Sequence, residues 1–125
     1  MAGETPLEMI KNPESNSYKL LTKYIADFID HYKNHPMLYF YELTCELNLY
    51  ADLKGNFSTD QMISFTKNLA AYIRSLDPNH LISSGFAAPR PAAEHLRKKP
   101  DWSVGGADWT NDSYKQFQKN IYKTT

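Results

Sequence analysis

Cysteine, long apolar runs and excess charge of either sign are all scarce in this sequence. A single cysteine, Cys45, excludes an internal disulfide framework and leaves the redox compartment open. No stretch approaches the roughly 20 apolar residues that a helix needs to cross a bilayer, so no membrane partner is expected. Fourteen basic side chains balance fourteen acidic ones, and no overall field draws the chain to nucleic acid. The start, MAGETPLEMIKN, lacks the basic-then-apolar layout of a secretion signal. There is no internal repeat and no low-complexity tract. His31, His35, His80 and His95 show no metal-ligand spacing with Cys45, so neither a metal nor another cofactor is expected. Gly105-Gly106 is followed by no Lys-Ser/Thr at phosphate-loop distance. The run Arg97 to Lys99 reads as a solvated charge cluster.

What is present argues for a folded domain. Apolar content of 42% and aromatic content of 14% exceed what a disordered chain carries. At 125 residues the chain is long enough for one core and too short for two. The nine tyrosines and two tryptophans suit sugar surfaces as well as cores.

Residues 1–16, with Gly3, Pro6 and Pro13, read as an irregular lead-in. The core of the unit is 17–86. A helix over 17–34 follows from Tyr18, Leu21, Ile25, Phe28 and Tyr32 at spacings of three and four, with Ser17 as its cap. Pro36 bars its continuation. MLYFYEL, residues 37–43, is short and nearly all apolar, the pattern of a strand covered on both faces, which places Tyr39, Phe40 and Tyr41 in the core. Ser58 and Gln61 form a capping box, with Phe57 and Met62 as a hydrophobic staple, for a second helix that ends at Asp77-Pro78-Asn79. HLISSGF, residues 80–86, is a second strand. In 87–125 a turn or two of helix is expected near 92–98, then a loop. Asp112 or Ser113 caps a last helix to about Tyr122. The order is helix, strand, helix, strand, helix, and a helical crossover implies parallel strands and an α/β fold. Two such strands leave unpaired edges and an uncovered apolar face, so the chain reads as a section of a larger repeating α/β fold, with exposed edges open to self-association.

The chemistry concentrates in YFYELTCELNLYADL, residues 39–53, where a carboxylate ends a strand-like run and a loop follows. Alternation puts Glu42, Thr44 and Glu46 on one face. Carboxylates on the inward face of a buried strand need partners or raised pKa values, so a catalytic and a salt-bridged structural reading of Glu46 both stand.

Here the sequence resembles a known group. YKNHPMLYFYELTCELNL looks like the fourth-strand region of clan A retaining glycoside hydrolases, the (β/α)8 TIM barrels that include cellulase-like and β-mannanase-like enzymes. Members have a helix, a His-Pro start to the strand, an apolar stretch and Asn-Glu at its end. SLDPNHLISSGF and GADWTNDSY resemble the next strand and loop, and the likeness runs over roughly residues 5–122. It implies a partial (β/α)8 barrel in which Glu46 is the general acid/base. Retaining chemistry needs a second carboxylate about 5 Å away as nucleophile. In this clan that group lies on the seventh strand, and none of Asp52, Glu94, Asp101, Asp108 or Asp112 occupies a matching motif, so it is expected to be missing here. Cys45 stands where the family has the Asn that bonds the sugar 2-hydroxyl. A thiol is a poor substitute, and losing one oriented donor costs on the order of 10² to 10³ in rate.

The remaining candidates are contacts to substrate. Trp102 and Trp109 are read as stacking on a sugar ring or as simple packing. Asn48 and Asp52 are read as binding sugar hydroxyls or as ordinary surface loop residues. The implied function is a fragment of a retaining hydrolase acting on β-linked polysaccharide or oligosaccharide. A non-catalytic carbohydrate-binding or assembly module on the same scaffold is the alternative, and Cys45 favours it. Secretion is implied only by analogy with the family.

Overall fold

A computed structural model of the chain describes residues 3–54, 57–99 and 106–122. Helix α1 (Pro6–Lys11) precedes α2 (Asn16–Tyr32) and strand β1 (Phe40–Glu42). Helices α3 (Leu47–Lys54) and α4 (Thr59–Leu76) lead to strand β2 (Leu81–Ser83), then α5 (Ala93–Lys98) and α6 (Tyr114–Tyr122). The two strands pair in parallel, with Phe40 opposite Leu81, Tyr41 opposite Ile82 and Glu42 opposite Ser83.

Several boundaries follow from capping chemistry. Ser58 Oγ accepts the Gln61 N–H while Gln61 Oε1 accepts the Ser58 N–H at 2.8 Å, the expected capping box at the start of α4. Helix α2 begins two residues earlier than expected, because Ser15 rather than Ser17 is its cap: the Ser15 hydroxyl accepts the Tyr18 N–H at 3.1 Å. The Ser17 N–H is instead taken by the Glu4 carboxylate at 2.6 Å. The lead-in is not irregular. Thr5 caps α1 through the Glu8 N–H, and Pro6 takes the first helical position, where a missing N–H leaves nothing unpaired. The segment after Glu46, expected as loop, is the two-turn helix α3. At the last helix the Ser113 hydroxyl receives the Gln116 N–H. Asp112 serves α5 instead, accepting the Glu94 N–H at 2.9 Å.

The core lies on one side of the strand pair. Ile10, Tyr18, Ala51, Phe57, Met62, Phe65 and Leu69 form one buried cluster, and Ile29, Tyr41 and Ile73 a second beneath the sheet. Helix α2 packs on α4, α1 touches both, and α3 packs on α5. Among the described residues, no element covers the other side. Tyr41 is buried, but Phe40 is 50% and Tyr39 73% exposed, which corrects the expectation of a strand covered on both faces. With two strands, alternating side chains find core on one face only.

A pair of three-residue strands is held by clasps at both ends. At its start, the buried Asp77 carboxylate accepts the Tyr41 hydroxyl at 2.7 Å and pairs with His80 Nδ1 at 2.6 Å. Asp77 also receives the N–H groups of Asn79 and His80, so the end of α4 and the entry to β2 are tied to β1. Burial works to raise its pKa, yet hydrogen bonds from Asn79, Tyr41 and His80 prevail and hold it far below the usual carboxylate range. The Tyr41 hydroxyl is pushed up to about 12 by burial, by its bond to Asp77 and by that group's charge.

Candidate functional site

Glu46 sits just past the carboxyl end of β1, between the strand and the first residue of α3. The ladder does not stop where the strands do. The Leu43 N–H donates to the Ser83 carbonyl at 2.9 Å and the Thr44 hydroxyl to the Ser84 carbonyl at 2.7 Å. The Glu46 N–H then donates to the Gly85 carbonyl at 2.8 Å. The Asn48 amide closes the series on the Ala87 backbone. The two chain segments therefore run side by side for several residues beyond the sheet, and Glu46 is anchored at its tip.

Its backbone is unusual. Glu46 has φ of +53°, the sole positive value at a non-glycine among the described residues. Left-handed geometry costs an L-residue roughly 1–2 kcal/mol and persists only where surroundings over-determine it. Those surroundings are the Gly85 carbonyl before it and α3 after it, since the Glu46 carbonyl accepts the Leu49 N–H at 2.9 Å. Gly85 is itself left-handed at +69°, and a Cβ there would lie 1.6 Å from the Thr44 carbonyl oxygen. Only glycine lets the two segments approach so closely.

The kink changes which side chains share a face. Glu42 and Glu46 are both exposed, and so is Cys45, while Thr44 is half-buried. The expected inward row of two buried carboxylates is corrected by this exposure: no described element covers the face of β1 that carries Glu42. Neither carboxylate has an ion-pair partner among the described residues.

The other candidates separate. Asn48 is 3% exposed, and its amide meets Ala87 at both ends. Asp52 is fully buried on the same face of α3 one turn later, pairing with Arg90 at 2.9 Å and Arg97 at 2.8 Å. Burial pushes its carboxyl up against the pull of the two guanidiniums. Trp109 is exposed on the segment before α6. Trp102 lies outside the described residues. Among the described residues no cluster of His, Cys, Asp and Glu could hold a metal ion, and no helix is long and apolar enough to cross a membrane.

The buried polar network behind α3 was not foreseen from sequence. Arg97, expected in a solvated charge run, is instead buried: its Nη1 donates to Thr59 Oγ1 at 2.5 Å, and that hydroxyl donates to Glu94 Oε2 at 2.6 Å. Asp112 pairs with His95 Nδ1 at 2.7 Å and accepts from Asn120 Nδ2 at 3.1 Å. The usable signal was the Asn48/Asp52 spacing of four, which lays both on one helix face. An apolar groove of about 310 Å³ runs between α2 and β1, lined by Tyr24, Phe28, Phe40 and Glu42 among others, but Glu46 does not line it.

Three curated proteins are similar to part of the chain. The chain is 36% identical over 98 residues to mannan endo-1,4-beta-mannosidase F of Aspergillus clavatus, covering 78% of this chain and 20% of that protein. It is 37% identical over 62 residues to mannan endo-1,4-beta-mannosidase F of Aspergillus fumigatus, 50% of this chain and 13% of that one. Identity to the putative mannan endo-1,4-beta-mannosidase 9 of rice is 28% over 74 residues, 59% of this chain and 17% of that one. The chain thus spans a fifth or less of the length of the curated relatives it matches. No family profile matches it, and no solved structure does. These partial matches support a sequence relationship to glycoside hydrolases.

Proposed function

We propose that the chain is a section of a retaining β-glycan hydrolase with a (β/α)8 barrel, acting on a β-linked mannan, in which Glu46 is the general acid/base. One observation carries the reading: an exposed carboxylate stands at the carboxyl tips of a parallel strand pair, on a backbone held in a conformation it would not choose. In parallel α/β folds the tips of the strands are where ligands meet side chains. Strained backbone of this kind clusters at active sites.

In such a hydrolase Glu46 would donate a proton to the leaving glycosidic oxygen and then take one from the attacking water. The nucleophile, about 5 Å away across the cleft, is assigned to a later strand of a longer protein. Cys45 and Trp109 flank the sugar in this reading, Cys45 beside its 2-hydroxyl. Asp52 is excluded as that nucleophile by its burial between Arg90 and Arg97.

A second reading is favoured by Cys45 alone. A thiol where an amide is expected weakens transition-state contact to the sugar. That suits a module that binds β-glycan without cleaving it.

Calorimetric titration with β-1,4-linked mannohexaose tests both. The chain is expected to bind it, Glu46→Gln to bind similarly, and Glu46→Lys to lose binding, while reducing ends stay at background. Equal binding by the chain and Glu46→Lys would contradict any role for this tip. Rapid hydrolysis by the 125-residue chain would contradict the assignment of the nucleophile to a later strand.

A further inference from the structure

We infer that Asn48 is a positioning residue for Glu46: its buried amide, clasped on the Ala87 backbone, holds the turn that keeps the carboxylate at the strand tips. The inference rests on the reading of Glu46 given above. Asn48 Nδ2 donates to the Ala87 carbonyl at 2.7 Å, and Asn48 Oδ1 accepts the Ala87 N–H at 3.1 Å. One side chain thereby satisfies both polar groups of one peptide residue, as a partner strand would. The orientation of the amide is fixed, because the flipped rotamer would set donor against donor.

The clasp acts on Glu46 through the backbone. The left-handed φ of Glu46 is the angle between the peptide plane pinned to Gly85 and the start of α3. Asn48 lies in the first turn of α3 and is the side chain that ties that turn to the segment after β2. The next polar tie is a turn further on, where Asp52 meets Arg90 and Arg97. Without the Asn48 clasp the first turn keeps only the apolar packing of the partly buried Leu47, which does not fix the backbone angle, and Glu46 relaxes to a negative φ. The carboxylate then leaves the tip although the core beneath is intact.

The test is made by NMR on the full chain, without ligand. Positive φ brings the amide proton of a residue close to its own Hα, so Glu46 is expected to show a strong intraresidue cross-relaxation peak. In Asn48→Ala that peak should fall to the strength of an extended residue. Hydrogen exchange at the Glu46 amide should quicken on the order of ten-fold, as a local opening does. Ile73→Val, which loosens the second core cluster elsewhere, should move neither signal. If Asn48→Ala does not fold, Asn48→Asp keeps the acceptor for the Ala87 N–H, loses the donor, and is read the same way. A folded Asn48 variant in which Glu46 keeps its strong peak and slow exchange would overturn the inference. Because no sugar is present, that failure is separate from a failure of mannohexaose binding, which would remove the reading of Glu46 and leave the clasp standing.

Discussion

A glutamate on left-handed backbone is there against its own preference, and removing the preference exposes the strain. Glu46→Gly frees the position of a Cβ penalty of roughly 1–2 kcal/mol and returns about 0.5–1 kcal/mol through the extra freedom of glycine in the unfolded chain. The net expectation is a stabilisation of up to about 1 kcal/mol, read as a raised urea midpoint at unchanged slope. Glu46→Ala keeps the strain and removes only an exposed side chain, so it should shift stability by less than about 0.5 kcal/mol. A loss of stability in Glu46→Gly beyond that of Glu46→Ala would mean that the carboxylate supports the fold. At this scale the position of Glu46 at a strand end and the Ser58 cap were legible, because a strand end and a capping box are local patterns. It misplaced the cap of α2 by two residues, since Ser15 and Ser17 both suit the role and Glu4, far off in sequence, decides between them. The commitment of Asn48 to Ala87 is likewise invisible locally, as the partners are 39 residues apart.

Among elements, the strands and the two long helices were legible from hydrophobic period, and α5 and the capped α6 were expected near 92–98 and up to about Tyr122, but the short helices α1 and α3 were not. Helix α1 carries a readable signal in Thr5-Pro6-Leu7-Glu8, a cap followed by proline and an acidic residue in the first turn. Helix α3 buries Ala51 toward the core but turns Asn48 and Asp52 toward 87–97, so its inward face is half polar and reads as loop. The clasp that starts the strand pair gives stability a pH signature. The folded pKa of Asp77 is depressed, so its contribution is present above about pH 4 and is lost as pH falls through the folded value. That of Tyr41 is raised from 10.0 to about 12, so its contribution is present below pH 10 and lost between 10 and about 12. Urea midpoints measured across this range should fall at both ends. Asp77→Asn should flatten the acid limb and Tyr41→Phe the alkaline one, each at a cost of about 1–3 kcal/mol near neutral pH from unpaired buried groups. Unchanged limbs in both variants would show that other groups set the profile.

For the molecule as a whole, the parallel pair was legible because a strand, a helical stretch and a strand admit few other arrangements. What covers the sheet was not. Phe40 and Leu81 are exposed on a sheet that has only two strands among the described residues, and Tyr24, Phe28 and Tyr32 form an exposed aromatic row along α2. Sheet edges and exposed apolar patches template association. Sedimentation velocity should show mass rising with concentration for the isolated chain, and Phe40→Lys with Leu81→Lys should return it to monomer. A monomer at every concentration would contradict this. At the carboxyl ends of the strands Glu46 is exposed. The most direct measurement is amide shift mapping of the labelled chain during titration with mannohexaose. The account predicts that the largest changes fall on Cys45, Glu46 and Gly85, with Trp109 next. Changes confined to the aromatic row of α2, with Glu46 unmoved at saturation, would contradict it.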